Sequence, residues 1–168
     1  MEKKVLLVID MQEIYAGRGR NKDKYNYDTE KLIDQVNSRI AEYPPEAVYY
    51  FKSIAKGLGG LFGSMPKEGT HEAKFVERLK IVSKNIYERS KPDCMAIDEF
   101  VDFLRARNIQ EIEVVGVDIG CSIGQTVVTA TNDIDLRVLY NSNCMVFPTP
   151  DKSVKIREKF RRNRVTLL

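Results

Sequence analysis

The chain has one histidine, His71, and that scarcity removes several chemistries at once. A histidine-rich metal site cannot be built from one imidazole, and a Ser-His-Asp triad would have to recruit this one residue. Cysteine is sparse too. Cys94, Cys121 and Cys144 are odd in number, far apart and without CxxC spacing, which argues against a disulfide framework or a zinc site and fits a reducing cytoplasm. No apolar run approaches the roughly 18–20 residues needed to span a bilayer. Met1-Glu-Lys-Lys leads straight into a strand-like run without the shape of a signal peptide, so no membrane partner is expected. The net charge of +3 is too small to argue for nucleic acid. A phosphate loop is also missing. The glycine-rich stretch 52–70 (KSIAKGLGGLFGSMPKEGT) has neither GxxxxGK[ST] nor GxGxxG leading into a helix. It reads better as a loop shaping a pocket at strand ends.

What is present is ordinary globular material. The 168 residues are 43% hydrophobic and 30% charged, with no internal repeat, and read as one domain over 1–168. Val5 to Ile9 (VLLVI) is continuously apolar and β-branched, which suits a strand buried on both faces, and Asp10 ends it. Residues 15–28 read as a loop. Asp28 or Thr29 then caps a helix whose Leu32, Val36 and Ile40 recur every four residues until Pro44-Pro45 stops it. Val48 to Phe51 is a second strand, parallel to the first across that helical crossover. A helix over 71–80 follows, then a short strand at Asn85 to Glu88 and a helix at 97–107. Ile112 to Val115 is a strand, Leu136 to Tyr140 another, and Val165 to Leu168 a short last one. Thr149-Pro150 opens the final helix. The alternation implies an α/β fold, a three-layer α/β/α sandwich around a six-stranded, mainly parallel sheet.

Chemistry gathers in EVVGVDIGCSIGQTVVTA (113–130). An apolar strand enters a glycine-bearing turn, and Cys121 and Ser122 stand side by side where a helix begins. Unpaired N–H groups and the positive dipole end there would lower a thiol pKa and could hold an oxyanion. Asp10 lies at another strand end, and so does a cation, Arg89 or Lys91, two residues apart in an extended segment. The basic run KIREKFRRNR (155–164) reads as the exposed, basic C-terminal end of the last helix, since no aromatic stacking platform accompanies it, and no nucleic-acid partner is expected.

VLLVIDMQ at 5–12, a basic residue near 89–91 and VVGVDIGCSIGQTVVTA at 114–130 together resemble the isochorismatase-like cysteine hydrolases, over essentially the whole chain. That superfamily includes nicotinamidases, N-carbamoylsarcosine amidases and isochorismatases. The resemblance implies a six-stranded parallel sheet and a catalytic triad of Asp10, Lys91 and Cys121. The thiolate attacks a small amide or related C–N carbonyl, the aspartate moves protons, and the lysine lowers both pKa values. It also implies a cis peptide at Val117-Asp118 that aims an oxyanion hole, a small-molecule substrate, no cofactor, and a homo-oligomer. Family nicotinamidases bind a metal with an Asp and histidines near the second strand. KSIAKG after Phe51 has neither, so no metal is expected.

The register admits a second reading. In the family the cysteine stands six residues after the turn glycine, with Thr four and Ala eight residues beyond it. Counted from Gly116, those places hold Ser122, Thr126 and Ala130. The family lysine precedes a small-aromatic pair by five; set against Cys94-Met95, that place is Arg89. Either local gaps restore Asp10, Lys91 and Cys121, or the site is Asp10, Arg89 and Ser122, with hydrolysis altered or replaced by ligand binding.

Overall fold

The computed structural model describes residues 4–56, 65–118, 120–146 and 150–168. Six strands form one sheet: β1 (Lys4–Ile9), β2 (Val48–Ser53), β3 (Ile86–Arg89), β4 (Glu111–Gly116), β5 (Arg137–Met145) and β6 (Thr166–Leu167). Their order across the sheet is β3-β2-β1-β4-β5-β6, and every neighbouring pair is parallel. The helices are α1 (Glu13–Ala16), α2 (Thr29–Ile40), α3 (Asp98–Ala106), α4 (Ser122–Asn132) and α5 (Pro150–Arg162).

The apolar run of β1 explains the layering. Val5, Leu7 and Ile9 point to one side, where they meet Phe100 and Leu104 of α3, Ile123 and Val127 of α4, and Phe160 of α5. Leu6 and Val8 point to the other side, toward Leu32, Val36 and Ile40 of α2. A strand covered on both faces gains from an unbroken apolar sequence, so the alternation of a half-buried strand is absent. The caps agree with the sequence as well: the Asp28 side chain accepts a hydrogen bond from the Lys31 N–H and fixes the start of α2.

Three segments depart from expectation. Glu13–Ala16 adds a helical turn at the edge of the expected 15–28 loop. β5 is nine residues long, extended by a register shift opposite Val114 and Gly116 that lets Met145 pair with Gly116. Residues 71–80 form no helix. Their backbone groups are taken by the segment after β1: Glu13 N–H donates to Lys74 O, Ile14 N–H to Glu72 O, and Val76 N–H to Met11 O. Tertiary pairing outweighs an amphipathic pattern only ten residues long. Thr149, expected to cap α5, lies outside the described residues.

One buried charge network ties α2 to the sheet. Glu113, fully buried in the middle of β4, receives Arg39 Nε at 2.5 Å, Arg39 Nη2 at 2.6 Å and Tyr43 Oη at 2.6 Å. Lys4 Nζ lies 3.4 Å away. Burial opposes the Glu113 charge, but the hydrogen bonds from Arg39 and Tyr43 and the two cations outweigh it, so its pKa falls below the ordinary value of 4.5. A group whose folded pKa is depressed stabilises the fold above its unfolded pKa and loses that contribution as pH falls. Glu113→Ala is expected to cost about 1–3 kcal/mol at pH 7, since Arg39 and Tyr43 lose a buried acceptor while Arg39 keeps Glu42. In urea titrations at several pH values, the gap between wild type and Glu113→Ala should be flat at neutral pH and narrow below pH 4.5.

Candidate active site

The strand order reverses direction between β1 and β4, and both strands end where parallel sheets present their ligands. Asp10 follows β1 with φ 53°, in the left-handed region, and its N–H donates to Phe51 O at 3.0 Å. The turn after β4 lies against it. Gly116 has φ 116°, and a Cβ there would stand 2.1 Å from Ile9 O, so only glycine lets β4 leave the sheet at this height. Val117 N–H then donates to Ile9 O at 2.9 Å, and the Val117–Asp118 peptide is cis. The Asp118 carbonyl accepts the N–H groups of Cys121 at 3.2 Å and Ile123 at 3.1 Å, which answers two of the donors at the start of α4.

The Asp10 carboxylate, only 2% exposed, gathers three donors from three elements. Ser53 Oγ at the end of β2 donates to Oδ1 at 2.8 Å. Arg89 Nη2 at the end of β3 donates to Oδ2 at 2.6 Å, and Ser122 Oγ, the first residue of α4, donates to the same oxygen at 2.7 Å. Arg89 is itself 3% exposed and anchors its Nη1 on Lys91 O at 2.6 Å. Burial pushes the Asp10 carboxyl upward, while Arg89 and the two serine hydroxyls pull it back; the first effect is the larger. Burial likewise works against the Arg89 charge, and the Asp10 carboxylate keeps it firmly protonated.

Of the residues singled out from the sequence, Asp10, Arg89 and Ser122 are therefore in contact. Lys91 is exposed and reaches this centre only through its backbone carbonyl. Cys121 is exposed, occupies the N-cap position of α4 and makes no side-chain cap bond. The expected lowering of its pKa is reversed: partial burial and the neighbouring Asp118 carboxylate push the thiol upward. The N–H groups that would have favoured a thiolate are directed at the Asp118 carbonyl instead. Cys94 is fully buried and pushed up to about 12, and its N–H donates to the Thr126 hydroxyl at 3.0 Å. His71 is exposed, 3.7 Å from Glu13. Among the described residues no three His, Cys, Asp or Glu side chains are grouped to hold a metal ion, and no helix is long and apolar enough to cross a membrane.

Two supporting residues went unrecognised in the sequence. Ser53 holds the second carboxylate oxygen, and Gln12 holds Ser53. The Gln12 amide accepts from Ser53 N–H at 2.7 Å and donates to Ser53 O and Ala73 O, each at 3.0 Å. Gln12 was visible in the Asp-Met-Gln motif, but its partners lie 41 and 61 residues away.

A buried carboxylate thus stands at the switch point of a parallel α/β sheet, held by a guanidinium and two hydroxyls. The family model for the isochorismatase domain matches residues 4–165, and the chain belongs to that hydrolase family. No curated protein sequence matches it significantly. Among solved structures, the fold is similar to an isochorismatase-like hydrolase from Alkaliphilus metalliredigens, with a TM-score of 0.82, 14% identity, and 99% of this chain and 94% of that one covered. It is also similar to nicotinamidase from Bacillus subtilis, with a TM-score of 0.80, 17% identity and 99% of both chains covered. N-carbamoylsarcosine amidase from Thermoplasma acidophilum gives a TM-score of 0.75 and 17% identity over 99% of this chain and 95% of that one.

Replacing Asp10 leaves Arg89 buried without its counter-ion, at an expected cost of about 3–5 kcal/mol. Because residue 10 sits at positive φ, which Asn tolerates and Ala does not, Asp10→Ala should be less stable than Asp10→Asn by about 1 kcal/mol in chemical denaturation.

Proposed function

We propose that this protein hydrolyses a small polar substrate, an amide or a related C–N bond, through Asp10, Arg89 and Ser122 rather than through a thiolate. The observation that carries this reading is the 2.7 Å hydrogen bond from Ser122 Oγ to Asp10 Oδ2, on the oxygen that also receives Arg89. A hydroxyl aimed at a buried carboxylate has its base already in place. Ser122 Oγ attacks the substrate carbonyl carbon and passes its proton to Asp10. The C–N bond then breaks as Asp10 returns that proton to the departing nitrogen. Water repeats the sequence on the resulting ester and restores Ser122. Arg89 cannot trade protons at neutral pH, so its part is to supply fixed positive charge beside Asp10. Of the turn expected to hold the oxyanion, the Val117 N–H is already given to Ile9 O. Burial, by raising the Asp10 pKa, makes the carboxylate a stronger base than a surface aspartate.

In the competing arrangement Asp10, Lys91 and Cys121 would do this work. It requires Cys121 to turn inward and Lys91 to displace Arg89 from a 2.6 Å ion pair. With either arrangement we expect a small-molecule substrate, a cytoplasmic setting and a homo-oligomer.

Turnover of a panel of small amides and ureides by wild type, Cys121→Ala, Ser122→Ala and Asp10→Asn decides between them. Cys121→Ala should match wild type, and Ser122→Ala and Asp10→Asn should each lose at least about 100-fold, in line with the loss of a nucleophile or its base. Iodoacetamide should label Cys121 only as alkaline pH ionises its raised thiol, without loss of turnover. Loss of turnover in Cys121→Ala would sink the proposal. So would a panel bound in an Asp10-dependent way and never cleaved.

A further inference from the structure

The basic run near the C-terminus is left over by the chemistry above. Residues 155–164 hold six basic side chains and one acidic, against 27 and 24 in the whole chain. The remainder is thus left with 21 basic and 23 acidic residues, so the positive excess of the protein lies on this one segment of α5 and the turn after it. Its six basic side chains are exposed.

The fold gives this charge a concave partner. A cavity of about 520 Å³ opens where β4, β5 and β6 begin, at the end of the sheet opposite Asp10. Three arginines line it from separate places: Arg137 opens β5, Arg162 ends α5, and Arg164 sits in the turn before β6. The rest of the wall is chiefly amide and hydroxyl, from Asn132, Asn163 and Thr131. Arg137 already pairs with Glu111 at 3.1 Å. Among the described residues Arg162 and Arg164 have no ion-pair partner, and Asp135 is the one acid lining the cavity. The carboxyl ends of α4 and α5 also point here, and their partial negative charge accounts for one or two cations in this region. It does not account for three arginines lining one hollow from a strand, a helix and a turn.

We propose that this cavity binds a small, multiply charged oxyanion of the diphosphate or triphosphate class, at a site separate from the Asp10 centre. Guanidinium forks pair with phosphate oxygens two at a time, and a chain of two or three phosphates spans several forks where a single phosphate spans one. The neighbouring lysines and arginines of α5 raise the local concentration of anions without touching them.

Isothermal titration with inorganic pyrophosphate at low ionic strength tests the site. Saturable 1:1 binding is expected, weakening as salt rises and tighter than that of orthophosphate. The double variant Arg162→Gln/Arg164→Gln should weaken it at least about tenfold, the scale of lost charge-assisted contacts. Lys155→Gln/Lys159→Gln removes the same charge from α5 away from the cavity and should change affinity less than about threefold, since exposed charges are screened. Absence of binding, or equal loss in both double variants, overturns the proposal. A single-stranded oligonucleotide that displaces pyrophosphate at lower concentration also overturns it, in favour of an extended surface for phosphate backbones.

Discussion

The buried pair of Asp10 and Arg89 sets the terms for the centre of this molecule. Two opposite charges, each almost fully removed from water, are tolerable only if each answers the other and most of their remaining hydrogen-bonding capacity is filled; here the Arg89 Nε–H is left without a partner. That requirement fixes what surrounds them. Arg89 must arrive at the end of β3, which is why so short an edge strand is worth keeping. Ser53 and Ser122 supply the other two donors, from β2 and α4. For α4 to begin close enough, the chain leaving β4 has to press onto Ile9 O, and Gly116 is the residue that permits it.

Comparison with Glu113 separates scaffold from site. Both are buried carboxylates on adjacent strands, and each is held by an arginine. Glu113 sits in mid-strand, where Arg39, Tyr43 and Lys4 close around it from α2 and β1. Its net effect is a lowered pKa, so it stays ionised and inert. Asp10 sits at a strand end, and its neighbours are an arginine, which only donates, and two hydroxyls, which can accept as well as donate. Its pKa is raised, which leaves it able to take a proton. The same residue chemistry gives a lowered pKa in one place and a raised one in the other through position along the strand.

The sheet, its order of elements and most of its helices were legible because each leaves a local signal: the apolar run of β1, the Asp28 cap, the four-residue recurrence in α2. The helix expected at 71–80 failed because its backbone partners belong to Met11–Ile14, about sixty residues away, and periodicity carries no trace of that pairing. The site was legible to the level of the right strand ends. For Asp10 the register offered no rival. Arg89 against Lys91, and Ser122 against Cys121, turn on one or two residues of register, and register is decided by packing. Thr126 and Ala130, fully buried on the face of α4 that also carries Ser122, give the helix its rotation and leave Cys121 outside. Ser53 offered no signal, since a serine at a strand end is commonplace.

The separations within the Asp10 cluster carry a consequence for how the protein comes into being. Its three partners lie 43, 79 and 112 residues further along the chain. On a ribosome, Asp10 emerges 112 residues before Ser122. Until then the Asp10 carboxylate lacks its α4 partner, and before β4 is made the apolar β1 segment has no neighbour on that side of its ladder. Contacts this distant are slow to form and leave such a segment open to wrong pairings meanwhile. Lys4 and Asp10, a charge at each end of that apolar segment, are what it has to keep it in water meanwhile.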